Sequence, residues 1–200
     1  MSSRNLRLIL GFAATVAFAG GCASATPIDE SMATLQSLSG TYADPSSYPY
    51  GEAFGKRVFT FEDGQWTLDF VLALDPELQR PVFRFRTHGD YRVLRPSAAV
   101  DEAFDALFFE DAKYLTIETD DPGLIEAFGL ASCGLAPGQE HDISMQGCAG
   151  WLPVAECNED HDLLSLTDSG GVRFGVRPRD NNMCTEDRRP TALTPPVVRQ

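Results

Sequence analysis

The sequence predicts an all-β domain, an antiparallel sandwich or barrel carrying one short helix. Three observations predict it. Short apolar or alternating runs recur between residues 56 and 176, Asp-Gly, Asp-Pro and Gly-Gly pairs punctuate them, and one stretch carries a helix-start signal. No internal repeat or low-complexity tract interrupts the series.

Residues 56–61 (KRVFTF) form the first run, and Asp63-Gly64 after it is a hairpin signal. Residues 66–74 alternate: Trp66, Leu68, Phe70, Leu72 and Leu74 face one way and Thr67, Asp69, Val71 and Ala73 the other. Period two over that length means a strand with one buried face. Asp75-Pro76 turns the chain, and residues 81–87 (PVFRFRT) alternate again, setting Phe83 and Phe85 opposite Arg84 and Arg86. His88-Gly89-Asp90 reads as a further turn before a strand at 91–94. More runs follow at 104–109, 114–118, 143–145, 163–166 and 172–176, with Gly170-Gly171 as a hairpin turn. Asp121-Pro122 opens a short helix over 123–128 that Gly129 stops.

Ahead of this domain, residues 1–21 carry Arg4 and Arg7, an apolar run at 8–18 and small residues up to Cys22, the layout of a secretory signal. Small residues before a cysteine suit lipoprotein processing with Cys22 acylated, whereas Ala23-Ser24-Ala25 suits a cut that discards it. The lipoprotein reading is favoured, because a leader has little other reason to end in cysteine. Residues 22–37 then read as a polar tether and 38–200 as a single β domain. Either cut leaves Cys133, Cys148, Cys157 and Cys184, an even number in an oxidising compartment, with three possible pairings. The chain has 16 basic against 29 acidic residues, a net charge of −13. That balance argues against nucleic acid and against electrostatic binding to anionic lipid surfaces, leaving the N-terminal anchor as the membrane link.

A series of landmarks runs through the C-terminal half: Cys133-Gly134, Asp142-Ile143-Ser144, Gly147-Cys148, Asp162-Leu163-Leu164, residues 174–178 (FGVRP), and Arg189-Pro190-Thr191 with Pro196-Val197-Val198. In order and spacing they resemble the adenomatosis polyposis coli down-regulated family, membrane-attached ectodomains known as Wnt antagonists. Residues 38–42 (LSGTY), Asp75-Pro76 and Gly89-Asp90-Tyr91 agree in outline, so the resemblance covers residues 38–198. It implies a lipocalin-like antiparallel β-barrel, open or closed, with an apolar cavity. It also implies Cys133 with Cys148 and Cys157 with Cys184, because the first pair matches the family and the second is an addition. The two family cysteines missing from the N-terminal half are lost together. A bacterial-style leader removes the Wnt partner, so fold and cavity carry over and signalling does not.

On that reading the chain is a non-enzymatic, exported lipoprotein, in the periplasm or at the cell surface, that binds a hydrophobic small molecule or acyl chain. Trp66, Phe70, Phe83, Phe85 and Phe108 are its candidate lining. Each methylene buried there contributes about 0.8 kcal/mol. The same aromatic stripe also serves as ordinary core in a barrel with a filled interior, and then a surface protein-interaction module with an extracellular protein partner is the alternative. The three histidines, His88, His141 and His161, have neighbouring carboxylates but no zinc-motif spacing, and no G-x-S-x-G or phosphate-binding glycine loop occurs. No cofactor, metal or catalytic residue is expected.

Overall fold

The computed structural model describes residues 27–200; the leader and Cys22 lie outside the described residues. The elements are α1 (Pro27–Gln36), β1 (Gly40–Ala43), β2 (Tyr48–Tyr50), β3 (Ala53–Glu62), β4 (Gln65–Ala73), β5 (Pro81–Pro96), β6 (Phe104–Phe109), β7 (Ala112–Ile117), α2 (Pro122–Ala127), β8 (Glu140–Asp142), β9 (Glu159–Leu166), β10 (Val172–Phe174) and β11 (Val198–Arg199). Neighbouring strands run in the order β10-β9-β6-β5-β4-β3-β1-β11, antiparallel throughout. Val197 also bridges Val172 and Leu193 bridges Gly175, so the C-terminal segment spans the gap between β10 and β1. The result is a nearly closed antiparallel barrel with one seam, as the sequence predicts.

Local chemistry sets the hairpins. Asp63 and Gly64 take φ of 50° and 81°, the left-handed pair that a two-residue hairpin of matching twist requires. The Asp75 carboxylate accepts the Gln79 and Arg80 amides at 2.9 and 2.7 Å, which closes the Asp-Pro turn. Asp121 caps α2 by accepting the Gly123 amide at 2.8 Å.

Three expectations are corrected. The turn at 88–90 is absent, because β5 runs straight through it. Gly89 is there for space: a Cβ at that position would stand 2.2 Å from the Phe109 carbonyl oxygen, where the β6–β7 elbow crosses the strand. The apolar run at 143–145 is no strand; Ile143 is buried, Met145 is 86% exposed, and pairing stops at Asp142 in β8. Finally, residues 27–36, expected within a polar tether, form α1. Pro27 stands at its start with Asp29 and Glu30 in the first turn. Leu35 and Leu38 anchor its C-terminal end in the barrel.

Two apolar clusters fill the concave side. One, inside the barrel, holds Leu35, Phe59, Trp66, Tyr91, Phe108 and Phe174. The other holds Phe70, Phe83, Phe85, Leu115 and Ile117 beneath the loops that carry Phe128 and Trp151. Leu68 packs against both, so β4 feeds one after the other with the same face.

Candidate functional site

All of the aromatic residues expected to line a cavity are buried, and they divide between the two clusters. Trp66 and Phe108 meet edge-on with centroids 4.8 Å apart inside the barrel. Phe70, Phe83 and Phe85 belong to the second cluster, where Trp151 packs edge-on against Phe83 at 5.2 Å and stacks on Phe85 at 4.8 Å. Phe59 and Phe174, which alternation alone did not single out, stack at 3.9 Å and join β3 to β10 through the interior. At that level the barrel is occupied by its own side chains.

An open groove of about 360 Å³ lies at the end of β5 beside α1, lined by Gln36, Tyr91, Arg92, Val93 and Leu94. It exists because β4 starts opposite Asp90, while β5 continues to Pro96. Among the described residues no strand pairs with that edge of β5, and α1 leans there instead. The Tyr91 hydroxyl fixes the helix by accepting the Leu38 amide at 3.1 Å and donating to the Leu35 carbonyl at 3.0 Å. Gln36 reaches the Val93 carbonyl at 3.5 Å.

A third feature is a buried charge network beside the disulfides. Lys113, only 2% exposed, spends its ammonium protons on the Leu152 and Cys157 carbonyls, at 3.0 and 2.8 Å, and on Glu110, at 2.8 Å. Arg177 pairs with Asp160 at 2.7 Å. These groups surround a space of about 10 Å³, room for about one water. Burial, reinforced by the Asp160 charge, pushes the Glu110 carboxyl up to about 7 despite Lys113. Burial likewise raises Asp162 to about 6, although the Leu163 and Gly175 amides donate to it.

Both disulfides join the pairs expected from the resemblance, Cys133 with Cys148 and Cys157 with Cys184, and they are the mark of an oxidising compartment. The Arg-Pro-Thr landmark has a structural role. Arg189 donates to the Ala106 carbonyl at 2.8 Å and contacts the Asp162 carbonyl, while Pro190 fills the space that Gly175 leaves without a side chain. That fastens the C-terminal segment across β6 and β9.

The histidines are dispersed. His141 Nε2 lies 3.0 Å from the Ala136 carbonyl, His161 sits between Glu159 and Arg189, and His88 stacks on Tyr114. Among the described residues no group of three or more His, Cys, Asp or Glu is placed to hold a metal ion. No described helix is long and apolar enough to cross a membrane. No protein-family model matches the chain, and no curated protein matches it.

Proposed function

We propose that this chain is a non-enzymatic, extracytoplasmic lipoprotein, anchored through Cys22, whose lipocalin-like barrel binds a hydrophobic small molecule or acyl chain. The observation that carries the reading is the groove beside α1, whose volume of about 360 Å³ falls among small-molecule sites and where Leu94 is exposed. The disulfides support an oxidising location. Native mass spectrometry after gentle purification, with displacement of a fluorescent fatty acid, tests the ligand; a protein that arrives empty and displaces nothing sinks the idea. Cys22→Ser tests the anchor, and is expected to move the protein from the membrane to the soluble fraction.

A second reading is a surface protein-interaction module, and the Phe59–Phe174 stack at 3.9 Å favours it, since a packed interior makes a rigid platform. Pull-down of a specific extracellular protein by a ligand-free barrel separates it from the first.

A further inference from the structure

The groove has a definite chemistry at its edge. Arg92 is exposed and forms no ion pair among the described residues; its guanidinium carbon lies over the Phe109 ring, 5.0 Å from the centroid. Arg95, farther along the strand, is committed to Asp105 at 3.0 Å and to Glu186. In a chain of net charge −13, the groove therefore presents a single uncommitted cation beside the exposed Leu94. Gln36 adds a second donor, held only by its 3.5 Å contact with Val93. The register of β5 on β6 slips between Val93 and Arg95, and Pro96 ends the strand, so this edge presents no regular row of amides and carbonyls for an added β-strand. A flexible chain fits such an edge better than an extended peptide does. The buried charges around Glu110, by contrast, are matched among themselves and enclose room for about one water.

We propose that the groove between α1 and the end of β5 binds a single-chain carboxylate amphiphile, its head group on Arg92 and its tail across Leu94, which shares the outer face of the strand with Arg92. This rests on the ligand-binding reading and assigns the site and the ligand class. One anionic head matches one free guanidinium, and the tail covers a leucine that is 39% exposed.

The test uses the purified exported chain with dansyl-undecanoic acid and its methyl ester as fluorescent probes. The acid is expected to bind more tightly than the ester. Arg92→Gln then weakens the acid about tenfold and leaves the ester unchanged. Leu94→Asp, at an exposed position, weakens both, while Phe174→Leu in the barrel interior changes neither. If both groove variants bind like the parent and Phe174→Leu shifts affinity, the ligand sits in the barrel; the groove assignment is then overturned while the ligand-binding reading stands. Equal affinity for acid and ester, unmoved by Arg92→Gln, overturns the head-group assignment. A parent chain that binds neither probe overturns both readings.

Discussion

Arg57 and Thr194 meet across the barrel seam, where the Arg57 guanidinium donates to the Thr194 hydroxyl at 2.7 Å. The same guanidinium grips the Asp44 carboxylate at 2.6 and 3.0 Å and donates to the Pro195 carbonyl at 2.9 Å. Thr194 in turn donates to the Phe174 carbonyl at 3.1 Å, so one arginine on β3 fastens the C-terminal segment to both sides of the gap.

Arg57→Ala leaves a carboxylate that is 2% exposed without its partner, and breaking such a buried pair costs about 3–5 kcal/mol. Urea unfolding is expected to show that loss, and amide exchange at 197–199 to accelerate before the rest of the sheet. Unchanged exchange in those residues would show that the seam holds without Arg57.

Gly89→Ala places a methyl 2.2 Å from a backbone oxygen that cannot swing aside. Overpacking of this kind costs about 3 kcal/mol. The Phe109 carbonyl also accepts the Trp66 indole N–H at 3.0 Å, so tryptophan fluorescence should shift along with the loss of thermal stability. A variant as stable as the parent would mean that the β6–β7 elbow yields more readily than its packing implies.

Stability should rise on mild acidification. Glu110 has its folded-state pKa raised from 4.5 to about 7, so its contribution is fully present below about 4.5 and is lost as pH climbs through 7. Asp162 acts with the same sign between 3.8 and about 6. Glu110→Gln keeps the acceptor for Lys113 and removes the titration, so the difference between parent and variant should shrink from pH 8 to pH 5. A parallel pair of stability curves would rule out this role for Glu110.

Replacing Cys157 and Cys184 together by serine removes a link that closes a 27-residue separation, worth about 3.5 kcal/mol on the loop-entropy model. Guanidinium unfolding reads the loss. Because Arg177 and Arg189 still hold the segment to β9, the barrel should remain folded at 25 °C. Complete unfolding of the double-serine variant would mean that the ion pairs contribute little.

Much of this fold is legible in the sequence where the signal is periodic. The alternation from Trp66 to Leu72 is the buried face of β4, and Asp63-Gly64 is the hairpin it resembles. Gly89 was misread because glycine marks both a turn and a close approach, and only the distant Phe109 carbonyl distinguishes them. Residues 27–36 read as polar because a single fully buried side chain, Leu35, anchors the helix, too sparse a stripe to recognise. The groove is illegible for another reason. It arises from unequal strand lengths, with β4 starting short of the end of β5, and a relation between two strands leaves no local pattern.

Ring closure also has a timetable. The last strand, β11, pairs with the first, through Ala43↔Val198, and the Gln200 amide reaches the Thr41 carbonyl at 3.0 Å. A chain emerging from its N-terminus therefore holds an open sheet until residues 198 and 199 arrive. All four disulfide-bonded cysteines lie upstream of that closing strand, so both bonds can form while the sheet is still open. Non-local pairing of this kind folds on the order of milliseconds to seconds, and a truncation at the C-terminus should stall the chain as an open, aggregation-prone sheet rather than a slightly shortened barrel.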